Sequence, residues 1–298
     1  MQFPVDCTLG ETCYTQHFVD HDPTAAASNF RCGPLTYDGQ KGTDFALPTL
    51  ADQATGVNVL AAAGSTVLGT RNSLDDVLQV GPNPPDAANR ECGNGVVIRH
   101  IDGFETQYCH LAKGSITLKS GDLVTAGQVI GQIGLSGQTQ FPIYTSACAQ
   151  NGEVFDPYDT DGVQACGDMV QPSLWADPLA TPPGGIVDIG LTDHIPSFDA
   201  IKAGDADTNI QPRSPAIVGW GHIFGALEGD TIVTEIRGPR GFRIVHREPI
   251  TRTQARIFRA YGKRRPADGF ANGDYTLTVT HMRGNQTIDQ MTAIYAVN

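Results

Sequence analysis

Few side chains in this sequence could carry chemistry, and the strongest candidates lie in the first half of the chain. Asp44 belongs to the segment YDGQKGTDFALP, and His110 belongs to the segment FETQYCHLA. Carboxylate and imidazole groups are both good zinc ligands, and both can transfer protons at neutral pH. We therefore ask first whether these two residues belong to a metal centre.

Other reactive residues of this half have simpler interpretations. No G-x-S-x-G motif is present, so the sequence offers no serine nucleophile of that type. Cys109 and His110 are neighbours on a predicted strand, where successive side chains point to opposite faces, so they cannot form a nucleophile and base pair. We interpret His17 and the cluster Asp20, His21 and Asp22 as loop residues exposed to solvent, and His100 as a core or edge histidine of a strand. The alternative is that His17, His21 and His100 belong to a replacement metal site.

The seven cysteines all lie within the first 166 residues, and none has the CxxC spacing of a zinc knuckle. This pattern favours disulfides in an oxidising compartment over a metal site. Cys92 and Cys109 flank a predicted hairpin and are the best candidate pair. Cys148 with Cys166 is a second candidate pair, one cysteine must stay unpaired, and the sequence alone does not decide the pairing.

Short β-strands must position these residues. GNGVVIRHIDG and FETQYCHLA read as neighbouring strands joined at Asp102-Gly103, a dipeptide typical of hairpin turns. Alternation along the second strand predicts that Thr106, Tyr108 and His110 share one face. The glycine-rich run GDLVTAGQVIGQIGLSG continues as further short strands.

Composition and charge indicate two β-rich domains. Residues 1–180 hold 7 Lys and Arg against 20 Asp and Glu, whereas residues 181–298 hold 13 against 12. We place a first domain at 1–180 and a second at 186–298, separated by the segment ATPPGG. The net charge of −12 argues against nucleic acid as a partner, and no segment is apolar enough to span a membrane.

The second domain reads as an immunoglobulin-like β-sandwich with one short helix, predicted at TRTQARIFRAYG, residues 251–262. The basic segment 247–265 has two interpretations. It is a surface that binds anionic polymers or the acidic first domain, or it is an ordinary solvated helix face. In the first domain, DPYDTDG resembles the start of a calcium loop but lacks the closing Glu. We therefore expect Asp156, Asp159 and Asp161 to lie in a surface loop.

The motifs of residues 36–158, taken in order, resemble the LytM/lysostaphin-type zinc metallopeptidases, which cleave peptide cross-bridges of bacterial cell walls. The matching segments are YDGQKGTDFALP, VLAAAGSTVLG, GNGVVIRHIDGFETQYCHL, GDLVTAGQVIGQIGLSG and FPIYTSACAQNGEVFDP. The resemblance implies an antiparallel β-sheet or hybrid-barrel peptidase fold. It also implies one zinc ion, bound by the His and Asp of an H-x-x-x-D motif and by the second His of a later H-x-H motif.

In this sequence the implied zinc site has lost most of its ligands. Asp44 matches the motif's aspartate, but Gln40 stands in place of its histidine, and the H-x-H positions are Ile143, Tyr144 and Thr145. His110 matches an assisting histidine of the family. Neutral Gln and Thr are poor zinc ligands, so Asp44 and His110 are vestigial and we expect no zinc and no other cofactor.

We therefore expect a catalytically inactive relative of cell-wall endopeptidases, exported to the periplasm or the cell exterior although this chain shows no signal peptide. Its former substrate groove, with Gln40, Asp44, Tyr108, His110 and residues 143–145, would bind a peptidoglycan peptide or a protein such as a wall hydrolase. The alternative is an active metallopeptidase that cleaves peptidoglycan cross-bridges with a different set of metal ligands.

Overall fold

A computed structural model of the protein describes residues 1–78, 90–139, 143–150, 152–160 and 173–298. The chain forms two compact units, Met1–Thr181 and Pro182–Asn298. Both are mostly β-structure, as the sequence predicts. Within the described residues, neither α-helix, α1 (Leu50–Ala54) or α2 (Phe198–Ala203), is long enough to cross a bilayer.

The first unit contains ten strands, of which eight form one antiparallel sheet. The strands are β1 (Tyr14–His17), β2 (Thr43–Ala46), β3 (Asn58–Leu60), β4 (Ser65–Arg71), β5 (Asn94–Arg99), β6 (Phe104–Leu111), β7 (Leu123–Val124), β8 (Val129–Gln132), β9 (Ile143–Gln150) and β10 (Glu153–Phe155). The large sheet has the order β1-β2-β9-β6-β5-β4-β7, with β10 added to β9, and β3 pairs with β8. In the described residues this sheet is open, with edges at β1 and β7, and is not a closed barrel.

The core of the first unit lies on one side of the large sheet, as alternation requires. Tyr144, Ser146 and Cys148 of β9 are buried, whereas Thr145, Ala147 and Ala149 are only half-buried. Stacked rings extend this core across three strands, because Tyr144 lies 6.2 Å from Phe45 and 6.0 Å from Tyr108. The opposite face of the central strands is therefore the side on which a groove can open.

The second unit is a seven-stranded sandwich. Its strands are β11 (Gly185–Thr192), β12 (Ala216–Ala226), β13 (Thr231–Arg237), β14 (Arg243–Pro249), β15 (Gln254–Arg264), β16 (Gly273–Arg283) and β17 (Gln286–Val297). One sheet has the order β11-β12-β15 and the other β14-β13-β16-β17. The fourth strand thus pairs with the third and not with the fifth, a variant of the immunoglobulin constant arrangement.

Small residues let the two sheets of the sandwich pack closely. A Cβ atom on Gly219 would lie 2.5 Å from Leu277 of the facing sheet, and one on Gly221 would lie 2.9 Å from Val279. A larger residue at either position of β12 would therefore have to displace a side chain of the facing sheet. On the outer face of the same sheet, helix α2 (Phe198–Ala203) packs near Trp220, and Ser197 and Gly204 cap its two ends.

The helix predicted at 251–262 is wrong, because these residues form most of strand β15. They pair along the full length of β12, from Arg264 opposite Ala216 to Gln254 opposite Ala226. Pairing with a central strand outweighs the helix propensity of Ala and Arg, and the β-branched and aromatic residues of the segment suit a half-buried strand. The one α-helix of this unit is α2.

Candidate functional site

Asp44 forms the centre of a hydrogen-bonded cluster on the middle strands of the first unit. In the β2–β9 ladder it lies opposite Thr145, and in the β1–β2 ladder it lies opposite His17. The hydroxyl of Thr145 donates to Asp44 Oδ1 at 2.6 Å, and Nδ1 of His17 lies 3.0 Å from Asp44 Oδ2. Both carboxylate oxygens are therefore occupied, although the side chain is almost completely buried.

Gln40 and Tyr37 flank this cluster. The Tyr37 hydroxyl donates to Gln40 Oε1 at 2.7 Å, and the Tyr37 ring packs edge-on against His17 with centroids 5.3 Å apart. Burial of the hydroxyl and the nearby charge of Asp44 raise the pKa of Tyr37, so this group stays protonated. Gln40 is buried, and its amide nitrogen has no hydrogen-bond partner among the described residues. The ring of Tyr37 is half exposed and is the accessible part of this corner.

Strand β9 places Thr145 on one face and Tyr144 on the other. The Thr145 hydroxyl bonds with Asp44, whereas Tyr144 is fully buried between Phe45 and Tyr108. Ile143 starts the strand opposite Ala46. The second histidine position of the H-x-H motif thus lies beside Asp44, but the prediction that Tyr144 lines the groove is wrong, because alternation turns it into the core.

His110, the next-to-last residue of β6, has an unusual backbone conformation. Its φ is +61°, a strained value for a residue other than glycine, held by a backbone bond from His110 N to Cys92 O at 2.8 Å. Nδ1 donates to the carbonyl of Ser136 at 2.9 Å, which leaves Nε2 as an acceptor. Burial lowers the pKa of His110, against the opposing effects of this bond and of Asp44, so the ring is neutral at pH 7.

The left-handed conformation of His110 breaks the alternation of β6. Thr106 and Tyr108 point into the core, where the Thr106 hydroxyl donates to the Tyr108 hydroxyl at 3.0 Å, and Ala62 N donates to the same oxygen at 2.9 Å. The predictions that His110 shares their face and that Tyr108 lines the groove are therefore wrong. Alternation holds only while every residue keeps extended backbone angles.

A disulfide fixes this end of the site. It joins Cys92 and Cys109, the pair selected from the sequence, and Cys109 lies opposite Thr145 in the β6–β9 ladder. A second disulfide joins Cys7 and Cys13, and Cys32 is also disulfide-bonded. Cys148 is a buried free thiol, so its predicted pairing with Cys166 is wrong, and Cys166 lies outside the described residues.

A second buried pair ties the N-terminal loop to the segment after β10. His21 Nε2 lies 2.7 Å from Asp156 Oδ2, and both side chains are more than 90% buried. Burial acts to lower the pKa of His21, but the hydrogen bond and charge of Asp156 outweigh it and raise the pKa. Asp156 and Asp159 are thus buried, and His17 and His21 are partly buried, so these four are not the solvent-exposed loop residues that the sequence predicts, whereas Asp161 lies outside the described residues.

The residues of this site do not fit a zinc ion. The carboxylate that would bind it is already hydrogen-bonded through both oxygens, and the neighbouring ligand positions carry an amide and a hydroxyl. In the described residues, no three His, Cys, Asp or Glu side chains are grouped to hold a metal. The cluster is a hydrogen-bonded polar network with two accessible groups at its edge, the Tyr37 ring and His110 Nε2.

Residues 38–157 match the model of peptidase family M23, in agreement with the motifs of this segment. The chain is also similar to several solved structures. The catalytic domain of the prophage-encoded M23 protein EnpA from Enterococcus faecalis, in a mutant form, is 26% identical, with a TM-score of 0.31, and the match covers 47% of this chain and 88% of that one.

Two further structures have similar matches. The catalytic domain of lysostaphin from Staphylococcus simulans is 23% identical over 42% of this chain and 82% of that one, with a TM-score of 0.30. A chain from a complex of SpoIIIAH and SpoIIQ is 22% identical over 52% of this chain and 95% of that one, with a TM-score of 0.36.

The sequence did not predict that His17 and Tyr37 belong to the cluster around Asp44. His17 precedes Asp44 by 27 residues, and only the pairing of β1 with β2 brings the two together. No spacing rule predicts such a contact between separate strands. Tyr37 lies three residues before Gln40 in the same turn, and that short distance was the one available signal.

Proposed function

We propose that the first unit is a non-catalytic binding domain of the bacterial cell envelope, whose groove beside Asp44 holds a peptidoglycan peptide or a wall-associated protein. The observation that carries this proposal is the occupation of Asp44 by Thr145 and His17. In an M23 peptidase this carboxylate would bind zinc. Here it is satisfied by hydrogen bonds, so no activated water and no Lewis acid is available at this position.

The groove keeps groups suited to a peptide. The neutral ring of His110 offers Nε2 as an acceptor for a backbone N–H. The half-exposed Tyr37 ring adds an apolar surface with a polar tip, a combination common in binding sites. An acceptor and an exposed ring are complementary to an extended peptide.

The test combines metal analysis with wall binding. Purified full-length protein is measured for zinc by mass spectrometry and is incubated with sacculi, after which released fragments and retained protein are quantified. We expect no stoichiometric zinc, no released fragments and retention on sacculi or on an envelope protein. Stoichiometric zinc with released wall peptides would show instead an active metallopeptidase with a different ligand set.

Two histidine variants separate groove binding from general adhesion. His110→Ala removes the free acceptor and is expected to weaken retention about fivefold, a loss typical of one hydrogen bond. His100→Ala is the control, since the His100 ring is bonded to Thr106 and Gly64, and Thr106 lies about 13 Å along β6 from His110. Equal losses in both variants, or retention unchanged by His110→Ala, would exclude the groove as the binding site.

A further inference from the structure

An open pocket of about 630 Å³ lies at one end of the sandwich of the second unit. Three segments form it, namely the loop before β12, the turn between β13 and β14, and the loop between β15 and β16. Strand register brings them together, because Ala216 pairs with Arg264, and Arg237 pairs with both Arg243 and Thr276. The volume lies in the range of roughly 300 to 1,000 Å³ that is typical of small-molecule sites.

Three aromatic rings and three prolines form the apolar part of the pocket. Phe242 packs edge-on against Phe270 at 6.1 Å and against Tyr275 at 5.3 Å. A backbone hydrogen bond from Phe270 N to Pro212 O, 3.0 Å long, joins two of the loops. Pro212, Pro239 and Pro266 complete the lining. Such a surface suits the apolar face of a ring and exposes no broad aromatic face for stacking, because the three aromatic rings engage one another.

The polar groups of the pocket are free to meet a ligand. Asp268 and Asn272 line the pocket with exposed side chains, and neither makes a side-chain hydrogen bond among the described residues. Arg240 is exposed in the β13–β14 turn with φ +56°, and its charge acts on the Tyr275 hydroxyl. The pocket therefore offers a carboxylate, an amide and a guanidinium around an apolar floor.

Positive charge is concentrated at this end of the unit. Residues 211–216, 235–243 and 263–275 contain seven Lys and Arg against three Asp and Glu, in a chain whose net charge is −12. Glu235 forms ion pairs with Arg237 and Arg243. The other five form no ion pair within the described residues: Arg213, Arg240, Lys263, Arg264 and Arg265. Unpaired guanidinium groups favour phosphate or carboxylate ligands.

We propose that this pocket binds an anionic carbohydrate, that is, a sugar bearing phosphate or carboxylate groups. The ring face would contact Phe242 and the prolines, the hydroxyls would bond with Asp268 and Asn272, and the anionic group would meet Arg240 and the neighbouring cations. Asp268 disfavours an acidic peptide, because it would face carboxylates, whereas sugar hydroxyls can donate to it. The site belongs to the second unit alone and does not depend on the function of the first.

The test uses the full-length, isotope-labelled protein and follows backbone amide shifts during titration. The probes are N-acetylglucosamine 1-phosphate, N-acetylglucosamine, inorganic phosphate, adenosine monophosphate and a short acidic peptide. We expect saturable amide shifts of residues 240–242, 265 and 267–272 with the sugar phosphate, and binding at least about fivefold weaker for every other probe. Raising the salt concentration is expected to weaken binding, because the anion contact is exposed.

Matched variants locate the contact. Arg240→Gln and, independently, Arg264→Gln are expected to weaken sugar phosphate binding about fivefold or more. Arg252→Gln makes the same charge change in the exposed β14–β15 loop, outside the pocket segments, and is expected to leave the affinity within about twofold of the original protein.

Three results would overturn the proposal. Equal binding of N-acetylglucosamine would exclude the anionic requirement. Equal binding of inorganic phosphate, the nucleotide or the peptide would exclude the sugar. An equal loss in Arg252→Gln would show diffuse attraction to the whole protein and no pocket site.

Discussion

Acidification should destabilise the second unit through one buried histidine. His222 lies on β12 with no exposed surface, and its ring packs edge-on against Phe198 at 5.2 Å. Burial lowers its pKa to about 3, and the positive charges of Arg256 and Lys202 act in the same direction. In the unfolded chain a histidine has a pKa of about 6.5. Between about pH 3 and 6.5, His222 is therefore neutral in the folded unit and protonated in the unfolded chain.

The sign and size of the effect follow from this difference. Above about pH 6.5 neither state is protonated at His222, so the group contributes no pH dependence. As the pH falls from about 6.5 towards 3, the unfolded state gains a proton and the free energy of unfolding drops by about 1.4 kcal/mol per pH unit. Between about pH 7 and 4.5 the expected loss is about 2.5 kcal/mol.

The measurement is urea unfolding of the full-length protein followed by tryptophan fluorescence. The chain has two tryptophans, so a Trp175→Phe background leaves Trp220, which is buried in the cluster under α2, as the reporter of the second unit. The loss of about 2.5 kcal/mol should disappear in His222→Met, because methionine does not titrate. The comparison is made within each protein, so any constant cost of the substitution cancels. If both proteins lose the same free energy, His222 is not the group responsible.

Three further predictions concern groups whose partners are defined by the structure. Asp230→Asn should lower the free energy of unfolding of the second unit by about 3 kcal/mol in urea, because Asp230 is 1% exposed and pairs with a buried histidine and an arginine. The control is Glu235→Gln, whose arginine partners are exposed and whose cost should be less than about 1 kcal/mol. Equal costs of the two substitutions would contradict the argument. Replacing Cys92 and Cys109 together by Ser should lower the stability of the first unit by about 3 kcal/mol in thermal unfolding, given a sequence separation of 17 residues, and a reducing agent should then cause no further loss at this pair. Tyr108→Phe should lower the free energy of unfolding by about 1 to 2 kcal/mol, because it removes a buried hydrogen-bonded hydroxyl, but should leave retention on sacculi unchanged. Weaker retention of the folded variant would show that Tyr108 contributes to the binding site.

The strand framework of the first unit could be predicted because its information is local. Neighbouring residues determine the Asp102-Gly103 turn between β5 and β6 and the alternation of β9. The order of the motifs indicated which positions correspond to metal ligands in the M23 family. The exposure of individual residues could not be predicted so well. Tyr108 and Tyr144 looked like polar groove residues by type, but strand parity places them in the core.

Contacts between distant segments could not be predicted either, because they depend on strand pairing and on backbone angles that no local pattern determines. The partnership of His17 with Asp44 depends on an irregular register between β1 and β2. The turn of His110 depends on a left-handed backbone angle held by Cys92. The helix predicted at 251–262 failed because its apolar residues fit both a helical and a strand period, and only pairing with β12 decides between them.

Two hydrogen bonds explain how Asp44 can remain buried. A carboxylate that is only 4% exposed is costly unless its charge is matched or its oxygens are hydrogen-bonded. In a zinc site the metal ion supplies this compensation. Here the hydroxyl of Thr145 and the imidazole of His17 each bond one oxygen of the carboxylate. The contacts that compensate the buried carboxylate are therefore made to the same oxygens that a metal ion would need, so stabilising this part of the sheet and binding a metal at Asp44 oppose each other.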